Sequence, residues 1–129
     1  MMSWQTLLAI GSGGFIGAIS RAYLNGLISH KLPHELPVGT LGVNLIGSFI
    51  MGALISYFMY SALFSTHFKS FLTTGVLGAL TTYSTFAIES FLMLQAGSVI
   101  LALANISLNA FGTIFMAGAG FYIVRYFMG

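Results

Sequence analysis

The chain has 129 residues, of which 57% are hydrophobic and 5% are charged, and its formal net charge is +2. An ordinary soluble domain carries about 25% charged residues, so this composition excludes a soluble globular protein and is typical of an integral membrane protein. The sequence contains no cysteine, which excludes disulfides and thiolate metal sites. We expect a lipid bilayer as the surroundings of the chain and no nucleic-acid partner.

Four apolar stretches follow one another along the chain, and each has the roughly 20 residues that a transmembrane helix needs. Together they form a single transmembrane domain over residues 1–129, with predicted spans at about 4–27, 38–64, 71–94 and 99–127. The connections are short, which forces neighbouring helices to be antiparallel. We therefore expect an all-α bundle with both termini on one side of the membrane.

Basic residues give this bundle almost no preferred orientation. Lys69, Arg125 and the terminal amine fall on one side, whereas Lys31 lies on the other, with Arg21 inside the first span and towards that side. The positive-inside rule then has little asymmetry to act on. We expect insertion in both orientations and pairing with an inverted copy, as in the inverted repeats of larger transporters. The alternative is that a small cue such as Arg21 fixes one orientation.

The first span combines a packing motif with an ionisable residue. Gly13 and Gly17 form a GxxxG step, which lets membrane helices approach closely and predicts tight packing rather than a ligand site. Arg21 lies farther along the same span. An ionisable residue inside a membrane is costly and is a functional candidate by default. Snorkelling of the arginine to the interface is an equally good interpretation.

The second and fourth spans carry neutral polar side chains spaced by four residues, which stack on one face of a helix. They are Thr40, Asn44 and Ser48 in the second span and Asn105, Asn109 and Thr113 in the fourth. Such stripes either hold helices together through hydrogen bonds or line a water-filled pathway through the membrane. Each stripe alone favours neither interpretation.

The third span is interrupted between Gly75 and Phe86 by glycines and the hydroxyl residues Thr81, Thr82, Ser84 and Thr85. Each backbone polar group left unpaired in hydrocarbon costs several kcal/mol, so a break predicts a place where something polar binds or passes. The alternative is a helix kink in which the hydroxyl groups donate to main-chain carbonyls of the preceding turn. Together with this third polar surface, the two stripes are better interpreted as the lining of a polar pathway than as contacts that hold helices together.

Glu89 follows the break by one helical turn and is the second ionisable residue inside the spans. The sequence shows no acidic ring, no histidine pair and no Ser-His-Asp arrangement, and all three histidines are predicted in loops. Hydrolytic and metal chemistry therefore have no support, and we do not expect an enzyme. The residues alone predict a dimeric pore for a small polar species.

Three motifs carry a resemblance to a known family. They are Gly14-x-x-Gly17-x-x-x-Arg21, Gly39-Thr40-Leu41-x-Val43-Asn44-x-x-Gly47 and Gly75-x-x-Gly78-x-x-Thr81-Thr82-Tyr83-Ser84-Thr85-Phe86. The chain resembles, over nearly its whole length, the Fluc family of fluoride channels, also called CrcB proteins. It departs from the family pattern in having Ala79 where a second glycine is usual and Tyr83 where phenylalanine is usual.

The resemblance implies passive fluoride export across the bacterial plasma (inner) membrane through two pores of an antiparallel, dual-topology homodimer. It also implies a structural sodium ion on the dimer axis, held by the main-chain carbonyls of Gly78 and Thr81. Together with the polar residues above, it places the fluoride pathway on Arg21, Asn44, Tyr83, Ser84, Thr85, Phe86, Glu89, Asn109 and Thr113.

Two other classes of protein compete with this interpretation. Proton-coupled exporters of the small multidrug resistance kind also have four short helices, but their essential glutamate lies in the first helix, where this chain has none. A non-transporting membrane scaffold explains the glycine packing but not three polar surfaces.

Overall fold

The computed structural model describes residues 1–129 as helices joined by short connections, with no strand. The elements are α1 (Trp4–Lys31), α2 (Val38–Tyr60), α3 (Thr66–Ser70), a π-helical segment (Phe71–Leu77), α4 (Gly78–Leu80), α5 (Tyr83–Gln95) and α6 (Val99–Met128). By length and composition four helical stretches are able to cross a membrane, namely α1, α2, the third span Thr66–Gln95, and α6. The expected all-α membrane protein with four spans is confirmed.

The C-terminal ends of the first two helices differ from the predicted ends of their spans. The first continues to Lys31 rather than Leu27, and the N–H of Leu32 still donates to Ile28 O at 2.8 Å. Pro33 follows, and the residue before a proline is disfavoured in a helix. The second ends at Tyr60 rather than Phe64, because Ser61 adopts an extended backbone.

The third span begins at Thr66 rather than Phe71, since the hydroxyl of Ser65 accepts the N–H of Phe68 at 3.2 Å and caps a short helix.

The prediction that all three histidines lie in loops is wrong. His30 lies in the last turn of α1 and His67 lies in α3. His67 Nδ1 is 2.8 Å from the Thr6 hydroxyl, a hydrogen bond that joins the start of α1 to the start of the third span.

Glycines set how closely the helices pack. A Cβ atom at Gly17 would overlap the main-chain oxygen of Val76, so α1 approaches the third span backbone to backbone, as the GxxxG step predicts. A Cβ atom at Gly52 would overlap the main-chain oxygen of Ala117 in the same way. The bundle is thus two close helix pairs, α1 with the first half of the third span and α2 with α6.

The third span is two half-helices separated by an extended dipeptide. Thr81 has φ −83° and ψ 155°, and Thr82 has φ −145° and ψ 115°, both in the extended region. The helix resumes at Tyr83. The interruption lies inside the segment that the sequence singles out, and it leaves the C-terminus of α4 and the N-terminus of α5 close together in the chain.

Candidate functional site

The break is held by one side chain of α2. The N–H of Thr82 donates to Asn44 Oδ1 at 2.7 Å, and Asn44 Nδ2 donates to the Thr82 carbonyl at 3.0 Å. Asn44 is 7% exposed and Thr82 is 5% exposed. A buried polar group left unpaired costs about 1–3 kcal/mol, so this single amide removes two such costs.

The hydroxyl of Thr82 caps the second half-helix. It accepts the N–H of Thr85 at 3.3 Å and donates to Thr85 Oγ1 at 2.9 Å. A threonine at this position satisfies one of the free N–H groups at the start of a helix. Thr85 therefore belongs to the cap, whereas Ser84 is exposed on the outside of the chain.

These two side chains free two main-chain carbonyls. In an unbroken helix the N–H of Thr82 would bond to Gly78 O, and the N–H of Thr85 would bond to Thr81 O. Asn44 and the Thr82 hydroxyl take those N–H groups instead. Gly78 is exposed and Thr81 is half-buried. The C-terminal end of α4 thus presents neutral oxygens without helical partners at the surface of the chain.

A chain of hydrogen-bonded amides continues from Asn44 into the bundle. Asn44 Nδ2 donates to Asn109 Oδ1 at 2.9 Å, and Asn109 Nδ2 donates to Asn105 Oδ1 at 3.1 Å. Asn105 Nδ2 then donates to Ser90 Oγ at 2.9 Å, and Ser90 donates to the carbonyl of Phe86 at 2.8 Å. The amides of the two stripes therefore hold α2, α5 and α6 together.

The backbone fixes the direction of this chain of bonds. Because the N–H of Thr82 is always a donor, Asn44 must turn its oxygen towards it, and the nitrogen of Asn44 must then face Asn109. Each later amide follows in the same sense, up to the hydroxyl of Ser90. The whole network is thus set by the peptide at the break.

A cavity of about 520 Å³ lies beside the break, between α2, α5 and α6. Five of the predicted pathway residues line it, namely Asn44, Tyr83, Phe86, Asn109 and Thr113. The rings of Tyr83 and Phe86 meet edge to face, with centroids 5.5 Å apart and planes at 70°. Aromatic ring edges carry positive charge, and no charged side chain lines this cavity.

The remaining predicted pathway residues lie elsewhere. Glu89 lines a second cavity of about 450 Å³, next to the connection between α1 and α2. Its Oε1 atom accepts the hydroxyl of Thr40 at 2.6 Å, and Thr40 Oγ1 accepts from Asn25 at 3.5 Å. Arg21 is half-buried and lines neither cavity. The two ionisable residues are therefore separate from the aromatic pair.

Two residues of these hydrogen-bond networks, Ser90 and Asn25, are not among the predicted site residues. Ser90 lies one helical turn beyond Phe86, and this spacing is the signal that would have found it. Asn25 lies four residues from both Arg21 and Ser29, the same spacing as in the other polar stripes, although its bond to Thr40 depends on how α1 and α2 are packed.

A membrane helix broken in its middle, beside a cavity lined by polar groups, is typical of transport proteins. The sequence matches the family described as CrcB-like protein, Camphor Resistance (CrcB), over residues 8–121. The chain belongs to this family, which decides against the small multidrug resistance class.

Relatives of nearly equal length support the assignment. A protein of Sulfurimonas denitrificans named "Fluoride-specific ion channel FluC" is 77% identical over 124 residues, which are 96% of each chain. Proteins with the same name from Nautilia profundicola and Campylobacter jejuni are 52% and 47% identical, over 93% and 94% of this chain. The matches cover 94% and 98% of those relatives.

Proposed function

We propose that this chain is a fluoride-selective channel, not an enzyme, and that fluoride leaves the cell through it passively. The observation that carries the proposal is the cavity beside the break, which combines hydroxyl and amide groups with the aromatic rings of Tyr83 and Phe86. The printed names of the relatives agree with it.

The charges around the cavity favour an anion. Cation channels use rings of acidic side chains, and both acidic residues of this chain, Glu35 and Glu89, line the other cavity. Fluoride is small and strongly hydrated, so a selective path must replace its water with donors. Fixed positive charge would hold the ion too tightly, and neutral groups with aromatic edges avoid this.

A flux measurement on purified protein tests the function. Liposomes loaded with potassium fluoride and treated with a potassium ionophore should release fluoride rapidly when they contain the protein, as recorded with a fluoride electrode. Liposomes loaded with potassium chloride serve as the control and should release little chloride. Fluoride release no faster than from protein-free liposomes would overturn the proposal, and release that requires an imposed proton gradient would favour an exporter.

The ring edges at the cavity give a specific expectation. Phe86→Ile should lower fluoride flux by up to about tenfold, since isoleucine fills similar space but loses a ring contact worth up to about 1.5 kcal/mol. The matched control is Phe91→Ile on the same helix, because Phe91 is 56% exposed and lines neither cavity. Unchanged flux in the Phe86 variant would remove the aromatic edge from the mechanism.

The proposal extends to assembly as an antiparallel, dual-topology homodimer with two pores in the bacterial inner membrane. Its first support is the even distribution of basic residues between the two sides of the bundle. Its second is the pair of free carbonyls at Gly78 and Thr81, which are costly in an apolar span unless a further partner satisfies them. An inverted copy brings a matching pair to the same place.

A structural sodium ion fits these residues. The carbonyls of Gly78 and Thr81 are neutral oxygen ligands, the kind that hard cations prefer, and they lie where the side chains of Asn44 and Thr82 have removed their helical donors. When bound, the ion would neutralise partial negative charge at the ends of the two α4 helices. The chain itself contributes the bent backbone that aims the oxygens.

Two substitutions at Thr81 test the proposed site at the break. Thr81→Ser should keep the dimer, because serine retains the hydroxyl that bonds Leu77 O and leaves the carbonyl in place. Thr81→Pro should lose it, since proline lacks the N–H that donates to Leu77 O at 3.1 Å. Oligomeric state measured by chromatography with light scattering, in sodium and in N-methylglucamine buffers, is the readout. A Thr81→Pro dimer as stable as wild type would contradict the site.

A further inference from the structure

Most side-chain hydrogen-bond donors on the cavity beside the break are already occupied. The amide hydrogens of Asn44 go to Thr82 O and Asn109 Oδ1, and those of Asn109 go to oxygens of Asn105. The hydroxyls of the lining threonines bond within the chain in the same way. These groups build the wall, but they have no donor left for a passing ion.

Two lining side chains, Ser48 and Tyr83, are exceptions, and Ser48 is the more enclosed of them. It lies on the cavity face of α2, one turn beyond Asn44, and it is half-buried. No hydrogen bond within the chain involves its hydroxyl. The Oγ atom of Ser56 is also without a partner, but that atom is fully enclosed, whereas Ser48 Oγ is not. The Ser48 hydroxyl is therefore both unpaired and accessible from the cavity.

The other lining hydroxyl without a partner is that of Tyr83, and its position differs. Tyr83 is 80% exposed, so its hydroxyl is not confined by the cavity walls. Ser48 is confined, because its helix packs closely against α6 through the glycine contacts at Gly52 and Gly120. A donor on a rigid element loses little freedom when it binds, which is what a selective site needs.

We propose that the Ser48 hydroxyl is a specificity-determining donor of the pathway, which contacts the anion directly and replaces part of its water shell. Asn44 and Asn109 then act as positioning residues that hold the wall in which Ser48 sits. The hydroxyl rotates freely to meet an anion, and hydrogen bonds to ionised groups are about twice as strong as neutral ones. This inference rests on the proposed function, since it names one donor for the same ion.

The test compares three variants in the liposome flux assay. Ser48→Ala should lower fluoride flux about tenfold, as expected for loss of one hydrogen bond to an ion. The ratio of fluoride flux to chloride flux should fall with it, which a merely structural role would not produce. Ser48→Thr keeps the hydroxyl and should conduct within about threefold of wild type. Ser56→Ala makes the same change in the same helix, away from the cavity, and should behave as wild type.

The outcomes distinguish this inference from the function on which it depends. If wild-type protein carries no fluoride, the proposed function fails. If wild type conducts and the Ser48→Ala variant matches it in flux and selectivity, the function stands and the role of Ser48 is wrong. Should Ser48→Ala fail to fold, Ser48→Cys keeps a side chain of similar size with a much weaker donor and should show the same loss. Wild-type flux and selectivity in that variant would equally overturn the inference.

Discussion

Replacement of Asn44 by alanine should abolish measurable fluoride efflux and destabilise the protein by about 2 kcal/mol or more. The side chain is the partner of both the N–H and the carbonyl of Thr82, and both groups are buried. Each would be left unpaired at a cost of about 1–3 kcal/mol. A return of the Thr82 N–H to the Gly78 carbonyl would remove one of these costs but would partly close the break, so flux should fall in either case.

The measurements for Asn44→Ala are fluoride flux in liposomes and the thermal unfolding midpoint in detergent. The control is Asn25→Ala, since that amide makes only two long hydrogen bonds, one of 3.5 Å to Thr40 and one of 3.3 Å from Ser29, and is only half-buried. Its stability should change by less than about 1 kcal/mol. An Asn44→Ala protein that melts and conducts like wild type would show that the break is held by other contacts.

The second large effect is expected where α2 and α6 touch. A Cβ atom at Gly120 would overlap the main-chain oxygen of Phe49 and lie 3.0 Å from the N atom of Ala53. Gly120→Ala must therefore push the two helices apart, at a cost of about 1–3 kcal/mol. The bond from Asn44 to Asn109 crosses the same helix pair, so flux should fall together with stability.

Gly118 provides the matched control for this change. It lies on the same helix, and a Cβ atom there would meet nothing within 4 Å. Gly118→Ala should leave the unfolding midpoint unchanged or raise it slightly, because alanine favours the helix over glycine by about 1 kcal/mol. Equal melting of the two variants, measured side by side in detergent, would refute the close α2–α6 contact.

The number of spans and the place of the break follow from the sequence for a simple reason. Length and apolar content identify spanning helices, and the hydroxyl cluster from Thr81 to Thr85 marks where the helix is interrupted. Helix ends were less predictable. They depend on local details such as the hydroxyl of Ser65, which starts α3, and Pro33, which follows α1.

The site was predictable as a set of residues but not as a set of partners. Spacing by four residues identified Asn44 and Asn109 as members of polar faces, and both line the cavity. Whether an amide bonds to the backbone or to a ligand depends on how α2, α5 and α6 are positioned along the bundle axis. A single sequence does not contain this information. The presence of an ionisable side chain was a weaker indication of the site, since Glu89 lines another cavity and bonds to Thr40.

The amide chain beside the break contains no group that gains or loses a proton near physiological pH. Asn44, Asn109, Asn105 and Ser90 are all neutral side chains, and they hold the broken helix without any carboxylate or imidazole. Proteins lose stability in acid mainly because paired carboxylates become protonated and buried histidines become charged. The hydrogen bonds of this amide chain should therefore persist as the surroundings turn acidic.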